Sequence, residues 1–595
     1  MMIALIDGYI DEPGCLGVPP YLSPLSRYLY GMLKSNHSDW IVNYLTIDQI
    51  RSHEHQTDSL EWMTAFNLLI FISGVAVPGK YLGGTPIKFS ELQKYGSHFP
   101  SLPKVLCGPA TNFGVGEEGG KPSKSVANLQ DYFDLIITGD AEIVLNILLN
   151  EGLSSSESLW NLKDYFQAVK QERPNIESLQ RQSMDEIRDF AVAGAEVIDQ
   201  HPNFDETTGG NLICEIETFR GCPRHRSGGC SFCVEPTKGK TIHREINSIV
   251  AEVQALYEQG VRHFRLGNQT DFYAYQHGDY IHSRYPQPNP GAIEQLLQTI
   301  RTRCPQLRTL HIDNVNPLNF ALYPEQAEKI TKSITEYCSP GNIAAIGVES
   351  VDDCVITQNN LKANAEEILE AIRIINRYGR EIGENGNPKF LPGLNFIMGL
   401  PGETEETLEQ NSQFLQQLLE QDLWVRRINL RKLLVPSFFD QEATREVLKH
   451  LRKFSSNYFH WKKFVREEID MPMLKKLYPI GRILKDVYAE VHDGKGTLLR
   501  QVGTYPITCF VPQKLSLHQF YSLVVVNHGY RSLTCLKAPV DFQRLSQSEL
   551  VEIDGIGKKR AITIQVNQPK TKKDWLELIP DLWPIVKKIQ PSKGN

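Results

Sequence analysis

Short apolar runs separated by helical periodicity fill residues 1–150. Met2 to Ile6, Leu68 to Ser73, Lys104 to Cys107 and Phe133 to Thr138 are dense in apolar residues, which predicts buried strands. Pro24 to Leu33 and Ser90 to Tyr95 predict helices. Strands alternating with helices imply a parallel sheet, so this region predicts a small doubly wound α/β domain. Residues 151–210 are polar, with Ser154, Ser155 and Ser156 together, and predict a helical connector. The strand–helix rhythm then returns over 211–440. Its strands are Leu212 to Phe219, Val261 to Leu266, Leu310 to Ile312, Ala344 to Val348 and Leu394 to Met398. The first helix, Ile246 to Gln259, is apolar at Ile246, Ile249, Val250, Val253, Leu256 and Tyr257. This rhythm predicts a parallel α/β barrel.

The C-terminal third changes character. Residues 441–475 interleave Arg445, Lys449, Arg452, Lys453, Lys462, Lys463 and Arg466 with Phe454, Tyr458 and Phe464. Such a segment suits a nucleic-acid strand, but the solvated helix face is the preferred reading. Residues 476–515 predict a small β module of short strands. Residues 516–595 predict a helical hairpin domain, with a helix over Phe542 to Val551.

Composition narrows the class. The chain has 595 residues, 41% hydrophobic and 22% charged, with a net charge of −7. That is ordinary for a multidomain globular protein, and any nucleic-acid binding must come from a local basic patch. The N-terminus lacks the basic segment of a signal peptide, and no apolar run reaches the roughly 20 residues of a membrane span. A cytoplasmic location without a membrane partner is expected. The 11 cysteines form an odd, scattered set, which fits reduced thiols used as metal ligands.

Three of those cysteines share one loop. Cys222, Cys230 and Cys233 lie between the strand Leu212 to Phe219 and the helix Ile246 to Gln259. Three thiolates so close need a cation, and a metal centre supplies one. With His225 the spacing also admits a Cys3His zinc site. Cys15 and Cys107 follow predicted strands of the first domain, where they are either ligand-edge thiols or small packing residues.

The order Gly221-Cys222-Pro223, then Cys230-Ser231-Phe232-Cys233, resembles the cluster loop of radical S-adenosylmethionine (radical SAM) enzymes. That family spaces its cysteines C-x3-C-x2-C with an aromatic before the last. Phe232 fits, whereas the first gap is seven residues, as though Arg226 to Gly229 were inserted. Gly267-Asn268-Gln269 resembles the family's second-strand motif, and Asp313-Asn314 follows the third predicted strand. Gly347-Val348-Glu349-Ser350 resembles its fifth-strand motif, and Gly399-Leu400-Pro401-Gly402-Glu403-Thr404 the turn after its final strand. The resemblance implies a partial (β/α)6 barrel with a [4Fe–4S] cluster on Cys222, Cys230 and Cys233. It implies S-adenosylmethionine near Gly267, Asn268, Gln269, Asn314, Glu349, Ser350 and Gly399. It also implies an electron donor such as ferredoxin or flavodoxin, and a 5′-deoxyadenosyl radical that abstracts hydrogen from substrate. The first domain resembles those of cobalamin-binding radical enzymes and methylthiotransferases. The cobalamin signature Asp-x-His-x-x-Gly is absent, so cobalamin is not expected. The β module resembles the RNA-binding TRAM module in position and strand content.

Near the C-terminus, Ile553-Asp554-Gly555-Ile556-Gly557 followed by Lys558, Lys559 and Arg560 resembles a helix-hairpin-helix motif. Its glycines free N–H groups at a helix N-terminus for a phosphate, and the cations add backbone affinity without base reading. A nucleic-acid partner, RNA favoured, is therefore expected. The alternatives are a radical enzyme acting on a small molecule, and a zinc-stabilised nucleic-acid-binding protein without catalysis.

Overall fold

The computed structural model describes residues 1–12, 15–75, 83–116, 119–152, 162–435 and 439–590, without the side chains of residues 11, 12, 15 and 152. The Cys15 side chain and Ser154 to Ser156 thus lie outside the described residues. Among those described, the first domain is a parallel sheet of β1 (Met2–Asp7), β2 (Ile41–Thr46), β3 (Leu68–Ile72), β4 (Lys104–Cys107) and β5 (Leu135–Ile136). The spatial order is β2-β1-β3-β4-β5. Every residue of β3 is buried, as a central parallel strand covered on both faces requires. The strand expected over Phe133 to Thr138 shortens to β5, at the edge. Strand order reverses between β1 and β3, so the loops after them form the ligand-binding edge of such a sheet. Cys107 ends β4 level with Ile72 at the end of β3, but its thiol is not open to that edge. It is fully buried with Sγ 3.5 Å from the Phe71 carbonyl, as a packing residue.

The barrel strands are β6 (Ile213–Glu217), β7 (His263–Gly267), β8 (Thr309–Ile312), β9 (Asn342–Glu349), β10 (Phe390–Met398) and β11 (Arg427–Lys432). They form two parallel ladders, and an isolated bridge between Asn314 and Ala345 joins β8 to β9. Asn342 and Ser339 reinforce that joint by receiving the backbone N–H groups of Ile312 and Leu310 at 3.0 and 2.8 Å. Two strand assignments are corrected. The Glu349-Ser350 motif closes the fourth strand, not the fifth. The Gly399 turn follows the fifth, and β11 is the sixth.

Helix α1 (Pro24–Asn36) docks the first domain onto the barrel beside α2 (Ile246–Glu258). Arg27 on α1 donates to Glu252 on α2 at 2.6 Å and to the Glu215 carbonyl at 2.5 Å. Arg244 donates to the other Glu252 oxygen at 2.5 Å, and all three side chains are excluded from solvent. Tyr21 and Leu22 pair in parallel with Ile213 and Cys214, which covers the free edge of β6.

Beyond the barrel lie α3 (Gln441–Lys453) and α4 (Ser455–Phe464). Phe454, Tyr458 and Trp461 are buried, and Tyr458 donates to Glu403 at 3.1 Å. These buried rings are not a stacking platform; Phe459 is exposed on the solvated face with the basic residues. The β module is a closed barrel of β12 (Ile483–Asp493), β13 (Gly496–Gln501), β14 (Thr508–Val511), β15 (Phe520–His528) and β16 (Ser532–Lys537). A module ending at 515 would lose its last two strands. β16 pairs in parallel with β14, so closure depends on residues first assigned to the hairpin domain. The hairpin packs on this barrel, with Val524, Val526 and Leu536 against Leu550, Ile553 and Ile556 in one core. The helix expected over Phe542 to Val551 contracts to Gln547–Leu550, because Ser546 caps it reciprocally with Glu549. No helix of the described residues is long and apolar enough to cross a membrane.

Removing the Glu252 charge leaves Arg27 and Arg244 facing each other in a dry interface. Glu252→Gln should therefore cost about 3–5 kcal/mol of stability, read as a lower urea midpoint. An unchanged midpoint would show that the two arginines have another counter-charge.

Candidate active site

The cysteine loop is fastened at its base. Phe219 and Arg220 pair antiparallel with His243 and Ile242, and the Cys222 N–H donates to the Gly239 carbonyl at 3.2 Å. Gly221, with φ of +88°, lets the chain turn hard against the Lys240 carbonyl. The four-residue insertion becomes part of a short turn anchored from outside. Asn360 donates to the carbonyls of Ser227 and Gly229 at 2.8 and 2.6 Å, and Ser231 donates to Asn359 at 2.8 Å. The longer first gap therefore folds outward, with Arg226, Ser227 and Gly228 exposed.

Cys222, Cys230 and Cys233 line one cavity of about 250 Å³. Burial pushes the Cys222 thiol up to about 11 and the Cys233 thiol higher still. Such thiols become ligands only when a cation replaces their protons. Two cationic side chains attend them. Arg224 donates to the Cys230 sulfur at 3.2 Å and to the Asn360 carbonyl at 2.8 Å. Burial works against the Lys362 ammonium, yet the neighbouring Cys230 and Glu349 more than offset it and raise its pKa. No three His, Cys, Asp or Glu side chains of the described residues converge as a single metal ion requires. His225 turns its Nδ1 to the Cys222 carbonyl at 3.0 Å. Three thiols from one loop are a donor set that an iron–sulfur cluster uses.

The barrel supplies the remaining wall. Arg265 on β7 donates to Glu215 on β6 at 2.6 Å and pairs with Asp313 beyond β8. Burial pushes the Glu215 carboxyl up to about 7 despite that guanidinium. Tyr505, in the loop between β13 and β14, enters the same interior. Its OH donates to Asp313 at 3.2 Å, and the Arg427 guanidinium lies 3.9 Å over its ring. Glu349 stands at φ +63°, a left-handed conformation costly for a residue with a side chain. Burial pushes its carboxyl up to about 7, and its Oε2 has no hydrogen-bond partner among the described residues. A Cβ at Gly347 would meet the Glu349 carboxylate and lie 2.7 Å from the Lys362 ammonium, so glycine keeps room for both. Leu16, Val75 and Phe113 from the first domain close the apolar side.

Of the residues expected around S-adenosylmethionine, Asn314 and Glu349 line the cavity with the cysteines. The others are not in its lining. Gly267 makes room for the Glu215 carboxylate, which also accepts the Asn268 N–H at 3.1 Å. Gln269 is buried and donates to the Leu266 carbonyl at 3.2 Å. Ser350 accepts the Asp352 N–H at 3.2 Å, and the Gly399 N–H is held by Glu403. Arg427, Arg431, Lys362, Asn395 and Tyr505 line the cavity without having been singled out. The alternation of β11, in which Arg427, Asn429 and Arg431 share a face, is the signal that could have found two of them.

The hairpin stands apart from this cavity. Gly555, at φ +79°, makes its turn, and Gly557 precedes α5 (Lys558–Asn567) with nothing within 4 Å of a Cβ placed there. Lys558 and Lys559 are exposed. Arg560, expected to face phosphate, is engaged internally, donating to the Gly555 carbonyl and to Asp581, each at 2.7 Å.

Comparison with known proteins places these features. A family model described as the radical SAM superfamily matches residues 216–415. An Archaeoglobus fulgidus protein, described as uncharacterized, is 40% identical over 552 residues, 92% of either chain. A tRNA-2-methylthio-N(6)-dimethylallyladenosine synthase of Methylacidiphilum infernorum is 23% identical over 254 residues, 42% of this chain and 48% of that protein. Among solved structures, the radical S-adenosylmethionine methyltransferase TsrM of Kitasatospora setae is similar at 15% identity, with a TM-score of 0.44 and 72% of each chain covered.

Replacing Cys222, Cys230 and Cys233 together with Ala should give protein without bound iron after anaerobic reconstitution. Cys214→Ala should bind iron normally, since that thiol is buried within β6. A full iron complement in the triple variant would exclude these ligands.

Proposed function

The chain belongs to the radical SAM superfamily and is an enzyme, and from this we propose that Cys222, Cys230 and Cys233 hold its [4Fe–4S] cluster while Asn314 and Glu349 bind S-adenosylmethionine beside it. The family's chemistry, with both groups bound, supplies a 5′-deoxyadenosyl radical. The chain's own residues orient and exclude water. One observation carries the assignment: the cysteine loop, Asn314 beyond β8 and Glu349 at the end of β9 line a single cavity. The Glu349 oxygen without a partner suits the amino group of S-adenosylmethionine. Leu16, Val75 and Phe113 keep the space dry, which preserves a reactive intermediate.

We infer further that the substrate is a nucleic acid, RNA favoured. The support is the hairpin, where Gly557 is open, Lys558 and Lys559 are exposed, and α5 has no side-chain cap. Its first N–H groups and the helix dipole favour a phosphate. By its name, the distant Methylacidiphilum relative acts on tRNA, which accords with this reading. Cobalamin is left out, because the His motif is missing and the crevice between β1 and β3 is occupied. There Ile87 donates its N–H to the Gly8 carbonyl at 2.9 Å, and Gly84 lies so close to Tyr9 that a Cβ would come within 2.8 Å of the ring.

Two measurements test these inferences. Gly557→Val fills open space without straining the fold, whereas Gly555→Val would distort a left-handed turn. Gly557→Val with Lys558→Ala should weaken binding to unrelated RNA sequences about equally and flatten its salt dependence by about one counterion. An unchanged affinity and slope would remove the hairpin from the nucleic-acid role and favour a small-molecule substrate. Titration with hydroxocobalamin should show no tight binding with loss of the lower base; such binding would restore cobalamin.

A further inference from the structure

The cations lining the cavity, apart from the exposed Lys432, separate by partner. Arg224 and Lys362 attend the cysteine loop and Glu349. Arg265 is matched by Glu215 and Asp313. Arg427 and Arg431 form no ion pair among the described residues, although the charge of Arg431 acts on Glu349. Both stand on β11, whose register sets Arg427 beside Gly393, Asn429 beside Asn395 and Arg431 beside Ile397. The Nδ2 of Asn429, between them on that face, has no acceptor among the described residues. This strip therefore offers donors and no acceptor charge.

Burial works against the Arg427 charge, and the nearby Arg431 adds to that; the Tyr505 and Tyr21 hydroxyls favour it without overcoming burial. A ring face offsets part of the desolvation of a guanidinium, whereas an anion offsets it fully. The thiols and Glu349 already have Arg224 and Lys362. The charge left over on β11 is positive, and it faces the space that substrate must enter.

We propose that Arg427 and Arg431 form an anion-binding subsite that seats a phosphate or carboxylate group of the substrate. Tyr505 is a positioning residue that holds the Arg427 guanidinium in the cavity. The subsite deepens the functional assignment and rests on that cavity being the radical SAM active site. It names an anionic substrate class, and phosphate is the form a nucleotide unit would present.

The test is calorimetric titration of the reconstituted enzyme with inorganic phosphate and with succinate, beside titration with S-adenosylmethionine. The wild type should bind at least one anion. Arg427→Gln and Arg431→Gln should each weaken that binding roughly tenfold to a hundredfold, as loss of a charged hydrogen bond does. Arg427→Lys, which keeps the charge and spares the fold, should fall between. S-adenosylmethionine affinity should stay at the wild-type value. Preference for phosphate supports the subsite and a nucleotide substrate. Preference for succinate supports the subsite and removes the nucleotide. Wild-type protein that binds neither anion, or variants that bind as well as wild type, overturns the proposal. Parallel loss of S-adenosylmethionine affinity also overturns it, by assigning the arginines to that molecule. Wild-type protein lacking iron and S-adenosylmethionine binding would instead defeat the assignment of the cavity itself.

Discussion

Arg265 is a guanidinium in the middle of a barrel, and it can stay charged there only because Glu215 and Asp313 bracket it. That bracket ties β6, β7 and the turn beyond β8 to one polar centre. It dictates what may pack next to it. Tyr21 and Tyr505 each present a ring at 5.9 Å to the same guanidinium, one from the first domain and one from the β module. A conventional barrel fills its interior with branched apolar side chains. This one keeps its interior polar and so depends on neighbouring domains to exclude water. The walls of the cavity that come from other domains are a consequence of that dependence.

Much of the fold could be read from the chain because parallel strands buried on both faces are apolar without interruption. β1, β3 and β4 were legible for that reason, whereas β6 through β8 were legible by their apolar alternate positions despite Glu215, Arg265 and His311 on the other face. β11 was not, since Arg427-Ile-Asn-Leu-Arg-Lys432 alternates charge with apolar residues and resembles an exposed edge. Its polar face turns into the cavity. The miscount of barrel strands followed directly from that omission. The last two strands of the β module were assigned elsewhere because its closure uses a parallel pairing of β14 with β16, which no local pattern reveals.

The candidate site was legible in part, and for a different reason. Three thiols in one loop advertise themselves by residue type, and Asn314 and Glu349 by their position at strand ends. Motif position alone does not say which way a residue faces. Gly267, Ser350 and Gly399 occupy expected motif positions, yet their neighbours show structural duties: making room for Glu215, receiving Asp352 and holding Glu403. Lys362 and Tyr505 reach the cavity from segments with no strand pattern and no motif, so only the folded chain brings them there. The hairpin divides similarly. Gly557 and the two lysines remain open, whereas Arg560 is used to close the turn.

The hydrogen bond from the Tyr21 hydroxyl to the Gly503 carbonyl joins positions 482 residues apart. Beside it, Val502 receives Thr309 at 2.9 Å and the Thr504 N–H donates to His311 at 2.9 Å, so the segment runs along the inside of β8. The chain is made from its N-terminus, and the barrel strands all precede this segment. During synthesis the barrel therefore exists first as an open trough with its charged centre wet. It is sealed only when the far end of the protein has been made and has folded back. Contacts of such long range form late and slowly compared with local helices. Cutting the chain after β11 would accordingly not release a smaller enzyme, but leave its reaction chamber without one of its walls.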